Sequence, residues 1–231
     1  MKTASTLNQT IGVFSETYRH LQRARLPSAD VAQIKEDWVQ QILATLKVEV
    51  EIKGTPTDAR SVLFLGNHIS YLDIPLLMNC LPEISFVAKQ EISGWPLFGE
   101  AARQMETVFV KRESTGSRKS ARIAVQDALS QGKRVVIFPS GTTCLDEKKP
   151  WRRGAFEIAV AAEALVQPFR ITYNPLRAVA YIDRDILPLH LYNLVGKKKI
   201  EACVEFHEPV KITDVAMDSL YWQYWSQGII A

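Results

Sequence analysis

From Ser61 onward, short apolar runs of strand length alternate with helical stretches, and this alternation restricts the chain more than any other feature. A strand that is followed by a helix and then by another strand builds a parallel sheet, covered by helices on both faces. Strands are predicted over residues 62–65, 84–88, 107–110, 134–138 and 166–172, with two more at 177–182 and 200–206. Ahead of them, residues 48–52 alternate strictly between Val or Ile and Glu and end at Gly54, as a half-buried strand does. The plainest helix is 120–131, where Ala121, Ala124, Val125, Ala128 and Leu129 share one face and Gly132 suits the C-terminus. Residues 154–165 are apolar nearly all round, which predicts a buried helix. The expected class is α/β, with a mixed, largely parallel sheet flanked by helices and an N-terminal helical pair.

In that pair, Leu7, Ile11, Phe14, Tyr18 and Leu21 recur at steps of four and three, while Arg19, His20, Arg23 and Arg25 gather before a stop at Pro27. Such a helix either packs on the core or lies on an anionic lipid surface. A second helix is expected after Ser28 or Asp30, with Ile34, Trp38, Ile42 and Leu46 on one face. The chain therefore divides into residues 1–47, a candidate membrane-docking element, and residues 48–231, an α/β domain. The last helix, from about residue 213, carries Tyr221, Trp222, Tyr224 and Trp225, as a lid on the core or as an interfacial anchor.

Composition narrows the setting. With 231 residues and 47% hydrophobic content, one substantial core is within reach. A net charge of +3, with both signs mixed along the chain, supplies no nucleic-acid-scale field and leaves a modest pull toward an anionic surface. Cys80, Cys144 and Cys203 lie far apart without metal-ligand spacing, which fits a reducing compartment without a disulfide framework. No apolar run approaches bilayer length and no leader is recognisable, so a cytoplasmic or peripheral location at the inner face of a membrane is expected.

The chemistry gathers at strand ends. Asn67-His68-Ile69-Ser70-Tyr71-Leu72-Asp73 follows the apolar run 62–65 and opens a helix. Released there, His68 can present one imidazole nitrogen to a cleft while Asp73 holds the other, which makes a general base. The same spacing also serves a histidine in a turn and an aspartate capping a helix. Lys111 and Arg112 follow the third of these strands, either to meet an anionic group or as surface ion pairs. Phe138-Pro139-Ser140-Gly141-Thr142-Thr143 follows the fourth, a turn of small residues whose N–H groups suit an oxyanion or a phosphate, though the composition is also ordinary for loops. Lys148, Lys149, Arg152 and Arg153 form a basic run before Gly154.

In order and spacing these pieces resemble the glycerolipid acyltransferases typified by lysophosphatidate acyltransferase. Asn67, His68, Ser70 and Asp73 are similar to the family's first block, an HX4D motif. Lys89, Pro96, Gly99 and the run Val108-Phe109-Val110-Lys111-Arg112 are similar to the second. Phe138 to Thr142 resembles the third, and Arg153-Gly154-Ala155-Phe156 with Pro168 resembles the downstream part. The resemblance spans roughly residues 48–213 and implies an O-acyltransferase of phospholipid biosynthesis, acting on a lyso-lipid hydroxyl with acyl-CoA or acyl carrier protein as co-substrate and no metal or other cofactor. By that resemblance His68 and Asp73 are catalytic, and Asn67, Ser70, Lys89, Lys111, Arg112, Ser140, Gly141, Thr142 and Arg153 bind substrate. Ser140 and Thr143 stand where the third block usually has Glu and Arg, a departure that favours a phosphorus-free acceptor such as lyso-ornithine lipid over lysophosphatidate. Two other functions fit the same residues: a thioesterase using water or Cys144, and a non-catalytic lipid-binding protein. His20, His190 and His207 are expected in structural or surface roles.

Overall fold

The computed structural model describes residues 4–111, 115–146, 148–182 and 184–230. Helices α1 (Ala4–Ala24) and α2 (Val31–Thr45) lead into β1 (Val48–Lys53) and β2 (Val62–Gly66). Then come α3 (Asp73–Cys80), β3 (Ile84–Lys89), α4 (Phe98–Gln104), β4 (Val108–Val110), α5 (Thr115–Ser130), β5 (Arg134–Ile137), α6 (Gly154–Ala161) and β6 (Leu165–Asn174). The chain continues through α7 (Leu176–Val179), α8 (Leu187–Val195) and β7 (Ile200–Phe206) to α9 (Val215–Ser226). Among the described residues the strands form one seven-stranded sheet in the order β1-β7-β6-β2-β5-β3-β4. Every neighbouring pair is parallel except β6 with β7. The fold class is therefore the expected one.

β2 is buried along its whole length, and its side chains alternate between two cores. Val62 and Phe64 join the layer of α2, α3 and α8, whereas Leu63 and Leu65 join that of α5, α6 and α9. Burying an aliphatic side chain of this kind contributes about 1.5–3 kcal/mol, so β2 ties both layers to the sheet. This alternation fixes the site. From β2 the chain crosses to β3 through α3 on one face, and from β5 it crosses to β6 through α6 on the other. The C-terminal ends of neighbouring β2 and β5 thus flank a crevice where the direction of winding reverses, the usual ligand position in open α/β sheets.

Three expectations are corrected. Residues 177–182 do not form a strand: α7 occupies Leu176–Val179 and the chain then runs irregularly, because these residues have no neighbouring strand to pair with and cross the ends of others. The buried helix expected over 154–165 stops at Ala161, and Leu165 already belongs to β6. α8, with Pro188 in its first turn, has no counterpart among the predicted helices.

The apolar stripe of α1, expected either on the core or on a lipid surface, is divided: Leu21 is buried and Phe14 packs against the core. The buried face of the helix is Thr6, Thr10, Val13, Thr17, His20 and Leu21. Thr10 and Thr17 donate their hydroxyls to carbonyls one turn back, and Thr17 also accepts from the Trp38 indole. These bonds let threonines be buried without unsatisfied groups. Leu7, Ile11 and Tyr18 are instead more than half exposed, at 53%, 56% and 57%.

Candidate active site

Gly66 and Asn67 release the chain from the sheet. A side chain at Gly66 would meet the Phe169 ring and carbonyl at about 2.4 Å, so only glycine permits this approach of β2 to β6. At Asn67 the side chain continues the ladder in place of the backbone. Its amide nitrogen donates to the carbonyl of Ile171 (2.8 Å) and its amide oxygen accepts from the Ile171 N–H (2.7 Å). Asn67 is buried with both ends of its amide engaged by Ile171, so it serves as framework that joins β2 to β6. Ser70 is likewise fully buried, and its hydroxyl accepts from the N–H of Leu72.

His68 emerges from this support. Its Nδ1 lies 2.7 Å from Oδ2 of Asp73, and that oxygen also accepts the N–H groups of Ile69 (2.7 Å) and Ser70 (3.1 Å). The hydroxyl of Tyr173 on β6 donates to the other oxygen at 2.8 Å. Asp73 is completely buried, and these bonds satisfy its carboxylate. A carboxylate only accepts, so the proton sits on Nδ1 of His68 and the lone pair on Nε2. Nε2 meets no partner among the described residues, and the side chain remains 18% exposed. The ring stacks on Phe138 with centroids 3.9 Å apart, so the residue leading the β5 turn fixes the plane of the imidazole. Burial, and next the charge of Asp73, push the Tyr173 phenol well above its ordinary range, which keeps it a donor.

The β5 turn folds over the same crevice. Gly141 takes a left-handed φ of +73°, and its N–H donates to the Phe138 carbonyl at 2.9 Å. That bond closes the turn and removes this N–H from the donors expected to face a ligand; the N–H groups of Thr142 and Thr143 make no backbone bond among the described residues. Ser140 donates its hydroxyl to the carbonyl of Thr142, and Thr143 donates to that of Tyr181. The N–H of Cys144 donates to the His68 carbonyl (2.9 Å) and that of Tyr181 to the Ile69 carbonyl (3.0 Å). Three segments distant in sequence are thereby sewn around His68.

The basic candidates spread along the same edge. Lys89 ends β3 and Lys111 follows β4, both exposed. At about 4.8 Å per strand they stand roughly 10 and 14 Å from the end of β2, beyond direct contact with the proton His68 would take. Arg112 lies outside the described residues. Arg153 is exposed at the start of α6, and the backbone N–H of the adjacent Arg152 donates to the Pro139 carbonyl, which brings this stretch of main chain beside the turn.

His190, expected in a structural or surface role, is buried beside the site with both ring nitrogens engaged. Its Nδ1 meets the Tyr71 hydroxyl and its Nε2 the Ala180 carbonyl, both at 3.0 Å. Because the carbonyl only accepts, the neutral ring donates through Nε2 and accepts from Tyr71. Burial lowers the affinity of His190 for a second proton. Tyr71, Tyr181 and His190 pack edge to face on one another beside the His68 loop. Neither this cluster nor Tyr173 was found from the sequence. The spacing Phe169, Ile171, Tyr173 marks one face of a strand but not what that face touches.

Comparison with known proteins bears on this arrangement. A family model described as Acyltransferase matches residues 47–172, more than half of the chain and including His68, Asp73 and the β5 turn. The chain belongs to the Acyltransferase family. This acyltransferase is 33% identical over 198 residues to a lyso-ornithine lipid O-acyltransferase of Pseudomonas aeruginosa, covering 81% of this chain and 75% of that one. It is 31% identical over 172 residues to a 1-acyl-sn-glycerol-3-phosphate acyltransferase of Neisseria meningitidis, covering 71% and 67%. The crystal structure of PlsC from Thermotoga maritima, a 1-acyl-sn-glycerophosphate acyltransferase, superposes with a TM-score of 0.65 over 99% of this chain and 96% of that one. At 20% identity that likeness establishes the shared fold.

Proposed function

We propose that this acyltransferase moves a fatty acyl group from a thioester of coenzyme A or acyl carrier protein to a hydroxyl of a lyso-lipid, with His68 as general base. The observation that carries this reading is the imidazole at the C-terminal end of β2 whose Nδ1 is tied to a buried carboxylate, whose Nε2 has no partner among the described residues and whose side chain remains partly exposed. Nε2 takes the acceptor's proton as its oxygen attacks the thioester carbonyl. The resulting tetrahedral intermediate expels the thiolate, which recovers the proton from the imidazolium. Asp73 stabilises that imidazolium, and no acyl-enzyme forms. Positioned bases of this kind contribute about 10²–10⁴-fold in rate.

The acceptor favoured is a phosphorus-free lyso-lipid of the lyso-ornithine kind. Where the resembled block carries Glu and Arg, both hydroxyls of Ser140 and Thr143 are engaged by main-chain carbonyls, so the turn itself presents no cation to a phosphate. The Pseudomonas relative points the same way. Action at a lipid surface is part of this reading, supported by Leu7, Ile11 and Tyr18, exposed on α1, and by Ile186 and Leu189, exposed at the start of α8, which packs against α1. No helix among the described residues is long and apolar enough to cross a membrane.

The test is acyl transfer by purified protein to lyso-ornithine lipid and to lysophosphatidate, each with acyl-CoA and with acyl carrier protein as donor. His68→Ala is expected to lose transfer by at least about a hundredfold while keeping its fold. Equal thiol release by wild type and variant removes His68 as the base, and a preference for lysophosphatidate overturns the acceptor.

A further inference from the structure

We propose that Tyr173 is a positioning residue for the acyl-transfer base, holding Asp73 to the sheet so that His68 keeps its orientation; this rests on His68 acting as the base. The three N–H groups on Oδ2 of Asp73 come from His68, Ile69 and Ser70, all within the loop that the carboxylate itself caps. They hold Oδ2 against that loop and leave Oδ1 to be satisfied from another element. The Tyr173 hydroxyl reaches Oδ1 from a strand 100 residues away in the chain.

The topology provides the reach. β2 pairs with β6 only as far as Gly66 opposite Phe169, and β6 runs on for five more residues beside β7. On this overhang Ile171 receives the Asn67 amide, and Tyr173, next on the same face, stands over the start of α3. Its ring is buried at 6% exposure in the core that also holds Leu72 and Leu76, so it cannot swing away. Removing its hydroxyl leaves Oδ1 in that core without a donor. The anion is then less favoured, and the carboxylate loses the contact that fixes it to the sheet, so its alignment with Nδ1 loosens.

A tyrosine present only to fill the core would not alter proton chemistry, and this separates the two roles. The experiment is Tyr173→Phe in the full chain, with steady-state kinetics across pH and ¹⁵N NMR of the His68 ring. The expected result is a fall of about tenfold in kcat with KM for the acyl donor unchanged, and a low-pH limb of kcat/KM displaced downward by about one pH unit, because an imidazolium with a misaligned counter-charge gives up its proton more readily. The Nδ1 proton of His68 also loses part of its downfield shift. Wild-type kcat, pH limb and His68 spectrum in a folded variant overturn the proposal. If His68→Ala retains transfer, the base assignment fails first. If His68→Ala is inactive while Tyr173→Phe behaves as wild type, the role of Tyr173 alone fails. Should Tyr173→Phe not fold, 3-fluorotyrosine at position 173 sharpens the donor without changing the packing, and both the limb and the His68 Nδ1 proton signal move from their wild-type positions; if neither moves, the proposal is overturned equally.

Discussion

Replacing Asp73 with asparagine separates the charge of the carboxylate from its shape. Asparagine is nearly isosteric, and its amide oxygen can still accept the N–H groups of Ile69 and Ser70, so the loop and the start of α3 stay folded. What disappears is the negative charge beside the imidazolium that forms as the acceptor loses its proton. Nδ1 and Oδ2 are 2.7 Å apart, which places the centres of charge about 4 Å apart. With an effective dielectric of about 20, a pair at that distance is worth about 4 kcal/mol. Since each 1.36 kcal/mol is tenfold in rate, kcat should fall by about three orders of magnitude. KM for the thioester should hardly move, because the charge matters to the transition state and not to the bound donor. The assay is thiol release and product formation under saturating lyso-lipid, with circular dichroism as the control for folding. A folded Asp73→Asn enzyme within tenfold of wild-type kcat would refute the reasoning.

Two further outcomes follow from the surroundings of the site. Leu7→Glu with Ile11→Glu should weaken sedimentation with anionic vesicles by about tenfold or more, since each side chain is worth about 1.5–3 kcal/mol when fully buried; unchanged sedimentation would exclude this face of α1 as the contact. The basic end of α1 contributes less than expected, because Arg19, Arg23 and Arg25 each face a carboxylate, of Glu16, Asp37 and Glu100. His190 is held neutral by burial, so its folded affinity for a proton lies below the unfolded one. Its contribution is fully present above about pH 6.5 and is lost as pH falls through the lower, folded value. Urea midpoints measured from pH 7.5 down to pH 5 should therefore decline in the wild type, and decline less in His190→Gln; parallel curves would rule out His190 as a source of the slope.

Much of this was legible in the chain itself. Periodicity gave the class of fold, since apolar runs of strand length separated by helices have few ways to bury themselves other than a largely parallel sheet. The five-residue step from His68 to Asp73 placed a pair at a strand end, because a loop that short can turn back only onto its own beginning. Local patterns failed where partners are distant. The irregular segment after Tyr173 resembles a strand in composition, yet it crosses strand ends without a neighbour to pair with. Asn67 and Ser70 resemble ligand-binding residues by position, yet their polar groups complete the backbone of the loop.

The sequence alone determined the sheet, the identity of the candidate base and its carboxylate, and the loss of acid and guanidinium from the turn after β5. These are matters of residue type and short-range spacing, which a linear chain displays directly. Only the tertiary structure decided that Phe138 sets the plane of His68, that Tyr173 holds the far side of Asp73, and that Leu7, Ile11 and Tyr18 of α1 face outward while Leu21 is buried. Each of these depends on which elements the folded chain brings side by side, and contact energy between distant residues leaves no periodic trace in the sequence.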